Sequence, residues 1–170
     1  MRDIDDDELR RLLPQLRRFA LGLSRDAHAA DDLVQSCMEK ALQKWNSRRP
    51  DGNLYSWLCS ILYRLFIDGK RHSSRLNRWL DCLLYEEPEV EPSAEDTFQA
   101  RASLAALEQL PPEQRAVLLL VSIEGMSYQD IAAALEVPIG TVMSRLSRGR
   151  QAFRSIIGGE PSKPALRIAR

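Results

Sequence analysis

Residues 127–153, SYQDIAAALEVPIGTVMSRLSRGRQAF, carry the clearest structural pattern in this chain. Ser127 is a favourable N-cap for a short helix, and Glu136, Val137 and Pro138 interrupt that helix before a second one begins. From residue 139 a stripe recurs at the three- and four-residue steps of one helix face: Ile139, Val142, Leu146, Gly149 and Phe153. The pattern predicts two helices joined by a sharp turn, as in a helix-turn-helix.

The outer face of the predicted second helix is polar and basic. It carries Ser144, Ser147, Arg148 and Gln151, flanked by Arg145 and Arg150. Arginine can bond guanine through two hydrogen bonds, serine can reach base edges, and flanking arginines can hold phosphates. Because the second helix of such a motif enters the DNA major groove, the segment predicts DNA binding. The alternative is a pair of packed helices with a solvated charged face.

Charge is segregated along a chain that is neutral overall. The chain has 170 residues, 44% of them hydrophobic, and a formal net charge of zero. That length suffices for one large or two small domains. Residues 140–170 contain seven Lys or Arg and one acid, whereas residues 81–96 contain seven acids and no basic residue. A local basic patch, which DNA binding needs, is therefore compatible with the neutral total.

Several classes of protein are disfavoured by the residue types. Cys37, Cys59 and Cys82 are far apart, which argues against a disulfide framework or a zinc knuckle and favours a reducing cytoplasm. His28 and His72 lie outside any cysteine cluster, so we expect no metal site.

The sequence shows no nucleophile–base pair and no Gly-rich phosphate loop, so we expect no catalytic residues and no cofactor. No apolar run approaches the length of a membrane span, so we expect no membrane insertion and a cytoplasmic location.

Helical periodicity predicts an all-α fold with two small helical domains joined by an extended acidic linker. The first domain is predicted over residues 1–80. Its helices are expected at Leu9–Leu23, with Pro14 ending or kinking the first turns, at Asp26–Trp45, and from an Asn53 cap to about Arg78. The segment between the last two is rich in Pro, Gly, Asp and Asn and is expected to be a loop.

The second domain is predicted over residues 98–157 and contains the helix-turn-helix. Helices at Gln99–Leu110 and Glu113–Glu124 are expected ahead of that motif. Residues 81–97 hold two prolines and a run of acids, which favours an extended linker without a packed core. Residues 158–170 are predicted to be a disordered tail.

The third predicted helix combines aromatic and basic side chains: Tyr55, Trp57, Tyr63 and Phe66 with Arg64, Lys70, Arg71, Arg75 and Arg78. Basic residues attract phosphates and aromatics can stack on unpaired bases, a combination that suits single-stranded nucleic acid. For each aromatic taken alone, core packing is the favoured alternative. The neighbouring loop, with Arg48 and Arg49, could hold an extruded base. The second helix has an acidic-polar edge that suits either packing or docking on a partner helix.

Five short motifs follow one another along the chain. They are Asp31-Asp32-Leu33-Val34-Gln35; Trp57-Leu58 with Ile61, Ile67-Asp68 and Arg71; Leu107-x-x-Leu110-Pro111-x-x-x-Arg115; Gly125-Met126-Ser127-Tyr128-x-x-Ile131-Ala132; and Pro138-x-Gly140-Thr141-Val142-x-Ser144-Arg145 with Arg148 and Arg150. In this order they resemble bacterial RNA polymerase sigma factors of the extracytoplasmic-function (ECF) group, in its two-domain minimal type. The resemblance covers about Leu9 to Ile157.

The resemblance implies a subunit that binds core RNA polymerase and directs it to promoters. Docking on the polymerase beta-prime clamp would fall to Asp31, Asp32, Gln35, Met38 and Glu39. Recognition and melting of the minus-ten element would fall to Arg48, Arg49, Asn53, Tyr55, Trp57, Arg64, Lys70 and Arg71. Recognition of the minus-thirty-five element would fall to Ser127, Tyr128, Thr141, Met143, Ser144, Arg145, Ser147, Arg148 and Arg150. The resemblance also implies contact with the polymerase beta flap, an anti-sigma partner, and a monomer when free.

Two residues depart from the family pattern, and two other functions stay open. Arg64 stands where many relatives carry Asn, which favours a phosphate contact, and Met143 stands where relatives often carry Arg or Lys, which predicts a shifted base preference. One alternative is a sigma-like decoy that binds an anti-sigma protein and never DNA, for which a signal-receiving domain is expected. The other is a conventional helix-turn-helix repressor, which would normally dimerise and would leave the first domain unexplained.

Overall fold

The structure is a computed structural model that describes residues 6–48, 52–80, 103 and 105–158, with the backbone alone over residues 71–80. The N-terminal unit, residues 6–80, contains three helices and a short 3₁₀ turn: α1 (Asp6–Ser24), α2 (Ala27–Gln43), the turn Trp45–Ser47, and α3 (Leu54–Leu80). The C-terminal unit, residues 103–158, contains α4 (Pro112–Ser122), α5 (Tyr128–Leu135) and α6 (Ile139–Gly158), preceded by helical residues 105–108. Every regular element in these residues is helical, which confirms the all-α prediction. The predicted linker, the tail beyond residue 158 and Arg49 lie outside the described residues.

Three helices begin at polar side chains that bond their first-turn amides. Asp26 accepts a hydrogen bond from the amide of Ala29 at 2.6 Å, and Asn53 accepts one from Ser56 at 3.0 Å. Ser127 accepts one from the amide of Asp130 at 3.1 Å. Such caps satisfy amides that have no partner within the helix, which is why short polar residues mark helix starts. The expected caps at Asn53 and Ser127 are confirmed.

The helix α1 continues through Pro14, so the expectation that the proline ends its first turns is wrong. Leu9, on one side of the proline, and Leu16 and Phe19, on the other, are all buried in one core. Burial of both halves of the helix against the same surface outweighs the loss of a single backbone hydrogen bond.

The predicted apolar stripe of α6 does not include Ile139. This residue is 41% exposed because it is the first residue of α6 and lies beyond the packed stripe.

The core of the N-terminal unit forms where α1, α2 and α3 meet. Leu58 and Leu62 of α3 are fully buried there, and so are the free thiols of Cys37 and Cys59. Burial in apolar surroundings raises the pKa of each of these thiols to about 12. Both cysteines therefore act as small apolar core residues rather than as nucleophiles.

Truncation of Leu62 to alanine should lower the free energy of unfolding by about 2–5 kcal/mol, since the methyl groups that it loses leave a cavity in a close-packed core. Urea denaturation followed by circular dichroism measures this loss. Leu42→Ala on α2 is the matched control, because Leu42 is 48% exposed and its removal opens no cavity. Equal losses for both variants would contradict this account of the core.

The two units pack directly against one another. The sequence predicted two domains joined by an extended linker and gave no sign of this contact. The helix α1 contacts α4, and α3 contacts α5, so that the buried apolar residues form one continuous cluster. Gly22 of α1 faces Leu119 of α4 so closely that a Cβ at position 22 would lie 2.6 Å from the Leu119 Cδ1. A side chain at position 22 would force Leu119 to move, so glycine favours the close approach of the two helices here. None of the helices in the described part of the chain is long and apolar enough to cross a membrane.

Candidate nucleic-acid interface

The helix-turn-helix is formed by α5, a tight turn and α6. The turn depends on Glu136, which adopts the left-handed conformation (φ 54°, ψ 46°) directly after α5. Burial of Val142, Leu146 and Gly149 fixes which side of α6 faces the unit. At Gly149 an added Cβ would lie 3.0 Å from the Leu118 Cδ1, so the absence of a side chain lets α6 sit close to α4. The opposite side of α6 is left in solvent.

The candidates for the minus-thirty-five element divide into two groups by exposure. Those in the first group are exposed: Ser127, Tyr128, Met143, Ser147, Arg148 and Arg150. Those in the second are half-buried: Thr141, Ser144 and Arg145. Arg148 donates hydrogen bonds to the carbonyl and to the hydroxyl of Ser144, both at 3.2 Å, which hold its guanidinium along the outer face of α6. Ser127 is occupied as the cap of α5.

Arg145 is half-buried, and its charge acts on a tyrosine of the N-terminal unit. Burial raises the pKa of the Tyr63 phenol on α3, and the positive charge of Arg145 acts in the opposite direction. Arg148 is exposed whereas Arg145 is half-buried, so Arg148 is the better placed of the two for contact with a base.

Four of the minus-ten candidates surround one cavity of about 420 Å³: Arg48, Asn53, Trp57 and Arg64. Arg48 donates to the carbonyl of Gly52 at 3.1 Å, and its guanidinium lies 5.3 Å from the ring centroid of Trp45. Trp45 meets Trp57 edge to face, with their centroids 6.1 Å apart. The loop before α3 is thus tied to α3 by cation–π and aromatic contacts.

Tyr55 and Lys70, two further minus-ten candidates, do not line this cavity. Tyr55 is 8% exposed, and its phenol oxygen has no hydrogen-bond partner. Burial, together with the nearby Cys59 thiol and Glu124 carboxylate, raises its pKa. Lys70 is exposed, with its ammonium 5.5 Å from the ring centroid of Phe66. Arg49 and the side chain of Arg71 lie outside the described residues.

The cavity also has walls that sequence analysis missed. Ser56 and Ser60 of α3 line it together with Asp130 and Glu136 of the C-terminal unit. The two serines and Arg64 follow one another at four-residue steps, so they share one face of a helix, and that spacing could have identified them. No signal in the sequence links this face to Asp130 or Glu136. We call Asn53, Ser56, Trp57, Ser60 and Arg64 the α3 face.

The candidates for polymerase docking lie on the outer side of α2. Asp31 forms an ion pair with Arg17 of α1, with distances of 2.6 and 3.1 Å, and this contact lowers the pKa of the carboxylate. Asp32 is exposed, and the Gln35 amide donates to the Glu39 carboxylate at 3.2 Å. Met38 is half-buried against the core. The exposed members form a polar ridge that can meet another protein without disturbing the fold.

Comparison with known families decides the class of the protein. Residues 9–76 match the family described as sigma-70 region 2, and residues 101–153 match the one described as sigma-70, region 4. The ECF RNA polymerase sigma factor EcfG of Rhodopseudomonas palustris (strain TIE-1) is 35% identical over 151 residues, covering 89% of this chain and 83% of the relative. The chain belongs to the ECF group of RNA polymerase sigma factors. It is therefore an initiation factor for promoter-specific transcription and not an enzyme.

Solved structures agree with this assignment for both units of the sigma factor. The sigma factor RpoE in complex with the anti-sigma factor NepR, from Bartonella quintana, matches with a TM-score of 0.79 at 33% identity, covering 91% of this chain and 97% of that one. A complex of the anti-anti-sigma factor PhyR with NepR, from the same organism, matches with a TM-score of 0.60 at 17% identity, covering 88% of this chain and 49% of that one. The second match shows a shared fold alone.

Proposed function

We propose that the three candidate surfaces divide the work of promoter recognition. The exposed side of α6 reads the minus-thirty-five element, the α3 face and the Arg48 loop bind the melted minus-ten strand, and the polar ridge of α2 docks on the beta-prime clamp of core RNA polymerase. The observation that carries the proposal is the open side of α6, where exposed Ser147 and Arg148 lie opposite a stripe that is buried in its own unit.

The chemistry of α6 suits base edges in the major groove. Arg148 can bond guanine at two acceptors, and Ser147 can bond either strand. Met143 is 50% exposed on the same helix, and its apolar side chain suits the methyl group of thymine better than a phosphate. Flanking Arg150 is placed for a phosphate contact, which positions the helix without reading sequence.

The chemistry of the α3 face suits an unpaired strand. Arg48 and Arg64 supply positive charge at the cavity, and half-buried Trp57 supplies an aromatic surface for stacking. The Oδ1 atom of Asn53 is used as the cap of α3, which leaves the two donors of its side-chain amide for an extruded base.

Run-off transcription from a library of randomised promoters tests the proposal as a whole. Core RNA polymerase with this protein should select templates that share two short elements, one for each unit, whereas core polymerase alone should select none. Selection of a single element, or of a palindrome, would instead favour a conventional helix-turn-helix regulator.

Replacement of Arg148 by alanine should weaken holoenzyme binding to a selected promoter about tenfold or more, because a good arginine–base contact is worth ~1–3 kcal/mol. Association with core polymerase should be unchanged. Filter binding to labelled promoter DNA measures the first effect and co-elution with core polymerase the second. Arg154→Ala is the control, since Arg154 is an exposed arginine about one and two-thirds turns further along α6. Equal losses from both variants, or none from Arg148→Ala, would remove Arg148 from the base-reading site.

A regulatory partner and a location complete the proposal. We propose that an anti-sigma factor binds this protein, since the relative RpoE is held by one. We also propose that the protein acts in the cytoplasm, where RNA polymerase meets DNA, and that it is a monomer when free. Incubation with a candidate anti-sigma protein, followed by size-exclusion chromatography, would detect a one-to-one complex.

A further inference from the structure

One exposed arginine of α6 is held by the residue one turn before it. The Nε atom of Arg148 donates a hydrogen bond to the carbonyl of Ser144, and its Nη2 atom donates one to the Ser144 hydroxyl, both at 3.2 Å. That hydroxyl in turn donates to the carbonyl of Thr141 at 3.0 Å. The three residues therefore form a continuous chain of hydrogen bonds along α6.

The spacing that allows this contact does not recur at the other exposed arginines of α6. Residues four positions apart are neighbours on a helix surface, and Ser144 and Arg148 have this spacing. Arg150 and Arg154 follow Leu146 and Arg150 at the same distance, and neither of those side chains carries a hydrogen-bond acceptor. Of these three exposed arginines, the one that we assign to a base is thus the one that the preceding turn can hold.

The two contacts use one particular edge of the guanidinium. An arginine side chain has five N–H groups in a fixed fork. The N–H of Nε and one N–H of Nη2 point to the same side, and Ser144 accepts from these two atoms. The end of the guanidinium carries the second N–H of Nη2 and one N–H of Nη1, which lie parallel to each other. This end edge matches the two acceptors, N7 and O6, that guanine presents in the major groove.

The hydroxyl of Ser144 is already used within the helix. Its single O–H is donated to Thr141, and its oxygen accepts from Arg148. A serine at this position does not strengthen α6, because alanine is the better helix former and a serine bonded to a preceding carbonyl slightly destabilises a helix. The contacts of Ser144 point to a role that acts through Arg148.

We propose that Ser144 is a positioning residue, which holds the side edge of the Arg148 guanidinium against α6 so that the end edge is presented to a guanine of the minus-thirty-five element. The inference rests on the proposed function, because it takes α6 to be the helix that reads this element. It differs from what the family resemblance implies, namely that Ser144 itself meets the DNA. An arginine that is ordered before binding loses less conformational freedom on binding, so the serine raises the affinity without touching a base.

Nuclear magnetic resonance of the free, full-length protein measures the positioning directly. The order parameter of the Arg148 Nε–H group should be higher than that of Arg154, and Ser144→Ala should lower it to the level of Arg154. Ser144→Thr keeps a hydroxyl and should keep the order parameter high. Equal order parameters for the two arginines in the unmodified protein would overturn the inference.

Filter binding of the holoenzyme to a selected promoter measures the effect on function. Ser144→Ala should weaken binding about twofold to tenfold, the range expected for one long side chain that must be ordered on binding. Ser144→Thr should restore the affinity. Ser155→Ala is the matched control and should leave the affinity unchanged, because Ser155 is a half-buried serine about three turns further along α6.

A double-mutant cycle separates positioning from a direct contact with DNA. In a protein that already carries Arg148→Ala, the further change Ser144→Ala should have no effect on the affinity, because the residue has nothing left to position. Loss from Ser144→Ala of the same size with and without Arg148 would show that Ser144 meets the DNA itself, which would overturn the inference.

Base preference gives a second readout. Each guanine of the selected minus-thirty-five element is replaced in turn by adenine, and one position should lose its preference for guanine in Arg148→Ala. Ser144→Ala should reduce the preference at that same position and at no other. A change at a different base pair, or an element without guanine, would overturn the inference.

The inference and the proposed function fail in different ways. Weaker binding by Arg148→Ala, together with unchanged binding by Ser144→Ala, would overturn the inference and leave the proposed function standing. Unchanged binding by Arg148→Ala would overturn the assignment of Arg148 to base reading, and the inference with it.

Discussion

Replacement of Asp32 by lysine is expected to weaken the association of this sigma factor with core RNA polymerase by roughly a hundredfold or more. Asp32 is exposed on the polar ridge of α2, whereas its neighbour Asp31 is already paired with Arg17. We expect Asp32 to meet a positive charge on the polymerase, so that a lysine in its place brings two like charges together. Such a juxtaposition costs several kcal/mol, and each 1.4 kcal/mol changes the dissociation constant by about a factor of ten. Titration of labelled protein with core polymerase measures the affinity.

The control for this experiment is Asp7→Lys, which reverses an exposed charge near the start of α1, far along the chain from the ridge. Circular dichroism should show that both variants stay helical. Loss of helicity together with loss of binding in Asp32→Lys would show that the residue serves the fold of α2. Intact binding would exclude Asp32 from the docking surface.

Deletion of residues 86–93 is expected to abolish transcription from promoters of native spacing. These eight residues form the centre of the predicted acidic linker, and their removal takes away ~26 Å of maximum span. We propose that the two units separate in order to reach two promoter elements, and a shortened linker would keep them together. Each unit should still fold, because the deleted residues lie outside both predicted domains.

A replacement of equal length shows whether the predicted linker acts through its length or through its charge. Eight Gly and Ser residues in place of residues 86–93 keep the span and remove four of the seven acids in residues 81–96. Activity of this replacement together with inactivity of the deletion would assign the role of the linker to reach. Inactivity of both would assign it to charge, and normal transcription from the deletion would contradict the two-module interpretation.

Local signals in the sequence were sufficient to predict the elements and the class of this protein. The caps at Asn53 and Ser127, and the buried stripe at Val142, Leu146 and Gly149, depend on residues within a few turns of each other. Such patterns can be recognised in the sequence because residues three and four positions apart lie on the same face of a helix. The ordered motifs identified the sigma factor for the same reason, since each lies within a short segment.

Contacts between distant segments were decided by the tertiary structure alone. Arg64 and Glu136 are 72 residues apart, and Gly22 meets Leu119 across the boundary between the units. Tyr55 has the same aromatic character as Trp57 in the sequence, yet packing buries the first and leaves the second at the cavity. Helical periodicity shows which side of a helix is apolar but not which surface covers it. The sequence by itself therefore determined the helices and the family, and the packing of one unit on the other decided which candidate residues are covered.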